Sequence, residues 1–417
     1  MESRNTTLYD KLRRCIEDAC KDSLSWRPHA TKYQNLIESI LAEEIVRRNI
    51  EWWSPDRPVA DEAESWLAHF FNGYQDETEK GLVWNAEAFD HVYSKLEKFL
   101  YQDSYTSHFV SPLKPFSFDS SASVELETGV YIRKPDNFLS NILRNQELNI
   151  EHSSDTGNWV VYIFLEQPKS AKREAAHSNP AKANKKLRMV LQSLRLLHKG
   201  KVFVGPLYYL TYPEFAGLKR NIGALLDTGL TTLSLMHLSY FASTGYELRE
   251  QELEELKAIY RLVAKEATHY PDPLALALSR FHDYFSRTSE ADGLLDLVIA
   301  LEALFSGKGQ EIGYSLALRC SYFLEPDFQK RKEIFSQLRN MYEVRSSIVH
   351  GRPGVPKRWR KLWSGNSDTA FVLMVDNAED YVRQAIRKVI VDKHLDKFQN
   401  ATDWRKFLDD LVLKGSA

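Results

Sequence analysis

LLDLVIALEALFSGKGQEIGYSLALRCSYFL, residues 294–324, and RKEIFSQLRNMYEVRSSIVHG, residues 331–351, decide the fold of the second half of this chain. A helix turns about 100° per residue. On that wheel Leu295, Val298, Leu301 and Phe305 form one apolar face, and Phe335, Leu338, Tyr342 and Val349 form another, broadened by Ile334, Met341 and Ile348. The two segments therefore read as three helices, near 291–305, 311–324 and 329–350, the middle one carrying the apolar run YSLALRCSYFL. Each also carries an ionisable residue on or near its apolar side: Glu302, Arg319 and, near the middle of its arc, Arg345. An unpaired buried charge costs several kcal/mol or more, on the order of what holds a domain together, so each needs a partner or a purpose. The economical expectation is that Glu302 pairs with Arg319 or Arg345 and locks the helices.

EVRSSIVHG adds a second reading. Arg345 and His350 stand five apart, about 140° round a regular helix, so they are not a same-face pair. Gly351 and Pro353 end the helix, which leaves His350 at its C-terminus, where the dipole favours a protonated imidazole. Histidine trades protons near neutral pH, and arginine suits a phosphate that gains charge. Together they suit metal-free RNA cleavage by 2′-hydroxyl attack. A paired core arginine with a helix-capping histidine is the other reading of the same residues.

Working outward, helices are expected near 221–243, 248–266, 272–286, 376–397 and 402–413. Residues 1–105 also read as helical, from Leu36, Ile37, Ile40, Leu41 and Ile45 and from Phe89, Val92, Tyr93, Leu96, Phe99 and Leu100. Between them, ASVELETGVYIRK, NWVVYIFLEQ and KVFVGPLYYLTY are strand-like and separated by turn signals, with LRMVLQSLRLLH as a helix. The expectation is mainly α with a smaller α+β middle region, in three parts: 1–105 helical, 106–215 with a small sheet, and 216–417 a helical bundle.

A net charge of −2 and a pI near 6.7 exclude a polycation, so nucleic acid would need a local patch. GRPGVPKRWRKLW supplies one in Arg352, Lys357, Arg358, Arg360 and Lys361, with Trp359 interleaved for base stacking. A solvated loop whose tryptophans cover the bundle is the alternative. The basic run from Pro168 reads first as a solvated loop. Three scattered cysteines, Cys15, Cys20 and Cys320, fit a reducing cytoplasm better than a disulfide framework. The polar start lacks a signal-peptide core, and WVVYIFL is too short to cross a bilayer, so a cytoplasmic protein without membrane attachment is expected. No H-E-x-x-H, Cys/His cluster, Walker A or G-x-S-x-G pattern is present, and no metal or cofactor is expected.

The order ALEALF, then YSLALR, then YEVRSSIVHG within residues 294–351 resembles the abortive-infection-type (Apea-like) branch of the HEPN superfamily. The resemblance is clear over those residues and looser over about 216–400. It implies a HEPN helical bundle that dimerises, or forms a higher homo-oligomer, with motifs facing a shared cleft. It implies a metal-independent endoribonuclease acting in anti-phage abortive infection, with transfer RNA among its expected targets and a trigger of phage or host origin. Arg345 would hold the phosphate and His350 would be the general acid or base. Ser346 matches the polar position after the arginine, and Glu302 would orient Arg345, with Arg319 nearby in support. The alternative is a non-catalytic HEPN module that binds a protein or RNA partner and mediates dimerisation.

Overall fold

The structure is a computed structural model that describes residues 5–21, 31–53, 58–78, 83–120, 123–135, 159–169, 179–205, 207–210, 222–226, 245–266, 272–306, 311–350, 367–391, 394 and 401–415. It is mainly helical, with a small, largely antiparallel sheet in the middle of the chain. Five helices come first: α1 (Thr6–Lys21), α2 (Thr31–Leu41), α3 (Glu44–Trp53), α4 (Val59–Thr78) and α5 (Ala86–Tyr101). Strands follow as β1 (Ser104–Lys114), β2 (Phe116–Phe118), β3 (Val124–Glu127), β4 (Val130–Arg133) and β5 (Trp159–Pro168). Helix α6 (Asn179–Leu197) precedes β6 (Phe203–Val204), β7 (Leu207–Leu210), β8 (Ile222–Leu226) and β9 (Tyr246–Leu248). The rest is helical: α7 (Leu253–Glu266), α8 (Asp272–Tyr284), α9 (Glu290–Phe305), α10 (Ile312–Leu324), α11 (Phe328–Val349), α12 (Ser367–Val391) and α13 (Ala401–Lys414). None of the described helices is long and apolar enough to cross a membrane.

The chain forms two compact units. One comprises Met1–Ser111, Gly129–Lys185 and Pro206–Leu226, the other Pro112–Thr128, Lys186–Gly205 and Asp227–Ala417. The strand-rich middle region is thus shared between them.

In the first unit α1–α5 enclose a core of Leu8, Ile16, Ile50, Phe70, Phe71, Phe89 and Val92. Asn85 starts α5, its side chain accepting the Ala88 N–H at 3.1 Å. The strands lie in the order β4–β5–β1–β7–β8. Antiparallel registers set Ile132 opposite Val161 and Phe109 opposite Tyr209. Gly129 makes the turn into β4 with a φ of +86°, and a Cβ there would meet the Phe164 carbonyl oxygen at 2.6 Å, so only glycine fits.

Strand β8 corrects one expectation. Residues 222–226 were expected to open a helix near 221–243, but they pair antiparallel with β7, Leu210 opposite Ile222. A short apolar run such as IGALL suits a strand as well as a helix, and the neighbouring edge decides. The remainder of that span lies outside the described residues.

In the second unit β2 and β9 pair in parallel, and the Tyr246 hydroxyl donates to the Leu194 carbonyl at 2.6 Å. Helix α9 is the centre of the bundle and packs against α8, α10, α11 and α12. Leu294, Leu297, Val298, Ala300, Leu301, Leu304 and Phe305 are all buried, so the single face expected through Leu295 is instead burial on most sides. Leu295 itself is half-buried. At roughly 1.5–3 kcal/mol per large apolar side chain, burial of this helix contributes substantially to the stability of the unit.

The same unit contains a buried ionic cluster. Glu379 accepts from Arg383 and, at 3.0 Å, from the Tyr284 hydroxyl. The Arg383 Nε donates to the Arg195 carbonyl at 2.8 Å. Arg195 is fully buried, donates to the Val202 carbonyl at 3.1 Å and meets His282 Nδ1 at 3.3 Å. Burial, reinforced by Arg195, brings the His282 pKa down to about 3, which leaves its ring neutral and able to accept that contact.

Candidate functional site

Helix ends position this site. Asp327 caps α11, its carboxylate accepting the Lys330 N–H at 3.0 Å, and α11 returns antiparallel along α10. Gly313, the second residue of α10, lies flush against Tyr342 of α11. A Cβ at Gly313 would stand 2.4 Å from the Tyr342 ring. Glycine inside a helix costs about 1 kcal/mol relative to alanine, and the close approach of the two helices is what offsets it here.

One turn beyond Tyr342, Arg345 reaches the C-terminal turn of α9. Its Nη2 donates to Glu302 Oε2 at 3.3 Å, and its guanidinium carbon lies 5.8 Å from the Tyr342 ring centre. Arginine–carboxylate pairs commonly dock through two short parallel bonds. Here a single long one is made. The Arg345 Nε is buried and has no hydrogen-bond partner. Among the described residues Glu302 Oε1 likewise has none. Burial raises the Glu302 pKa, and the positive charge of Arg345 opposes that rise without cancelling it.

The buried stripe of α11 is Leu338, Met341 and Val344. Phe335 and Tyr342 are half-buried and Val349 is exposed, so burial is displaced toward Val344; Arg345 falls between Leu338 and Met341 on the buried arc, as expected, and is itself half-buried. Exposure rises toward the end of α11, where Val349 and His350 are exposed.

Among the sequence candidates, Arg345 and Glu302 are brought together. Ser346 is next to them, half-buried, with its carbonyl accepting the His350 N–H at 3.1 Å. His350 closes α11 with φ −88° and ψ 11°, is exposed, and its ring makes no hydrogen bond, ion pair or ring contact among the described residues. Arg319 is not at the pair. It binds Asp409 of α13 at 2.7 Å and donates to the Phe305 carbonyl at 3.2 Å, so of the two partners expected for Glu302 the structure selects Arg345. Arg352, Lys357, Arg358, Trp359, Arg360 and Lys361 lie outside the described residues.

Arg319 nonetheless bears on Glu302 through the end of α9. The last carbonyls of a helix have no partner within it. In α9 Phe305 O is taken by Arg319 and Leu304 O by the Trp404 indole N–H at 2.6 Å. Ser306 N–H takes Glu302 O at 3.0 Å. Helix α13 therefore fixes the turn that presents Glu302. Sequence reasoning missed Gly313, Trp404 and Asp409. The signal for Gly313 was a glycine just inside a helix that has no need of one.

Chemically, a guanidinium with unmet donors beside a carboxylate with an unmet oxygen can bind a phosphate and exchange a proton with a hydroxyl next to it. Compared with known proteins, the chain matches no family model, no curated protein and no solved structure.

Proposed function

We propose that the chain is a metal-independent endoribonuclease of the HEPN type, a homodimer or larger homo-oligomer that acts in anti-phage defence. The observation that carries the reading is Arg345: a part-exposed arginine held by one long bond to Glu302, with its Nη1 engaged by no hydrogen bond among the described residues. The exposed ring of His350 follows on the same helix as the proton-transfer group. Five residues correspond to about 7.5 Å along the axis and about 140° around it. The two side chains therefore leave α11 on different faces, so a phosphate bound at Arg345 would meet His350 of this chain only around the helix end, or else His350 of a second copy.

The test is cleavage of total RNA in EDTA by the full chain and by His350→Ala and Arg345→Ala. Cleavage by wild type alone, with 2′,3′-cyclic phosphate ends, is expected. Equal cleavage by all three proteins rejects the assignment.

A non-catalytic binding module is the second reading, favoured by the Glu302–Arg345 ion pair, which is a sufficient structural role for Arg345. Under it Arg345→Ala lowers stability, and no variant alters RNA.

A further inference from the structure

RNA cleavage by 2′-hydroxyl attack moves two protons. One leaves the nucleophile and one reaches the 5′-oxygen that departs. In an in-line displacement these two oxygens stand on opposite sides of phosphorus, so a single imidazole does not serve both at once.

We propose that Glu302 is the general base of this site, taking the 2′-hydroxyl proton while Arg345 holds the phosphate and His350 protonates the leaving oxygen. The assignment rests on the nuclease reading above and adds to it a residue that would touch the substrate.

Three observations carry it. Among the described residues Glu302 is the one carboxylate that reaches the Arg345 guanidinium, at 3.3 Å, so a phosphate on that guanidinium lies within reach of it. Its Oε2 holds the arginine, while Oε1 has no partner among the described residues and stands at a side chain still 19% exposed. One oxygen can thus keep the pair in place as the other accepts a proton. Finally, Glu302 and His350 lie in different directions from Arg345. The first comes from α9, and the second comes from five residues further along α11 and about 140° round it. Burial adds to this by raising the proton affinity of Glu302, which brings a carboxylate closer to the range useful for a base.

The step balances without a co-reactant. The 2′-O–H bond breaks and its proton goes to Glu302 Oε1. The 2′-oxygen forms a bond to phosphorus as the bond from phosphorus to the 5′-oxygen breaks. The 5′-oxygen takes a proton from the His350 imidazolium. The products are a 2′,3′-cyclic phosphate and a 5′-hydroxyl.

The experiment uses the full chain and a ribo-oligonucleotide that the wild type cleaves, prepared with either oxygen or sulfur at the scissile 5′-bridging position. A thiolate leaves without a proton. His350→Ala should lose about 100-fold or more in kcat on the oxygen substrate and recover most of it on the sulfur one. Glu302→Gln, which keeps the size of the side chain, should lose a similar factor on both. It should also lose the acid limb of the wild-type pH–rate profile. Glu302→Asp, a shorter base, should keep that limb at a lower kcat, which separates base chemistry from loss of fold.

Glu302→Gln cleaving at the wild-type rate, or regaining its rate on sulfur as His350→Ala does, overturns the assignment of the base and leaves the nuclease reading standing. A wild-type chain that cleaves no RNA overturns the nuclease reading and this assignment with it.

Discussion

Arg345 Nη2 stands 3.3 Å from Glu302 Oε2, and no other hydrogen bond is made by that guanidinium among the described residues. A cation at the edge of a hydrophobic bundle is held there by one long contact and by the ring of Tyr342 beneath it. Both halves of the pair are partly open to solvent, at 25% and 19% of their side-chain surface.

Arg345→Ala should therefore cost about 1–3 kcal/mol, mostly because Glu302 is left half-buried without its partner. The pair itself is worth less. In a double-mutant cycle with Glu302→Gln its coupling should be about 1 kcal/mol or below, as for other solvent-screened pairs. Denaturant unfolding of the four proteins measures both, and a coupling above about 3 kcal/mol would show that screening has been misjudged.

The pH dependence of Glu302 has a definite sign. Its folded pKa is raised above the ordinary value of 4.5, chiefly by burial. The folded state then holds the proton more tightly than the unfolded one. The stability that this group contributes is complete below the unfolded pKa and is lost as pH rises through the folded pKa. Wild type should lose stability relative to Glu302→Gln as pH climbs from about 4 toward neutrality. Thermal melts across that range test it, and a difference that is flat or of opposite slope rejects the burial argument.

Gly313→Ala would usually stabilise a helix by about 1 kcal/mol. Here the new methyl would lie 2.4 Å from the Tyr342 ring, so a net loss of about 1–3 kcal/mol is expected. Tyr342→Ala should relieve that strain when combined with it. A stabilised Gly313→Ala single variant would mean the two helices are not in this contact.

Trp404→Phe keeps an aromatic ring in a buried position but leaves the Leu304 carbonyl without its 2.6 Å donor, at a cost of about 1–3 kcal/mol. Asp409→Asn, at an exposed partner, should cost about 1 kcal/mol or less. Should Asp409→Asn prove the more damaging of the two, the clamp on α9 would have to be electrostatic.

The helices around the site were legible because their ends carry local signals. The spans expected near 291–305, 311–324 and 329–350 are Glu290–Phe305, Ile312–Leu324 and Phe328–Val349, with Ser289 and Asp327 as caps for the first and last. The pairing of Glu302 was legible only as a choice between two arginines. What settles it is Asp409, 90 residues beyond Arg319 in the chain, and no periodicity reports on a contact at that separation. The position of Arg345 within its arc was legible from periodicity, because Leu338 and Met341, which flank it on the wheel, are both buried. What a helical wheel does not report is how evenly a stripe is covered along its length: Val349, placed on the same stripe, is exposed. Ile222–Leu226 was unreadable as a strand because its identity depends on the edge of β7 that it joins.

The clamp on α9 also has a consequence in time. Trp404 is added to the growing chain 100 residues after Leu304, the residue whose carbonyl it takes. Until then the turn that presents Glu302 has an open end, however well the earlier helices have packed. A nascent chain is surrounded by messenger, transfer and ribosomal RNA. If the chain is the nuclease proposed above, order of synthesis would act as a safety catch, because the turn bearing Glu302 is closed only once residues 401–414 have been made and docked.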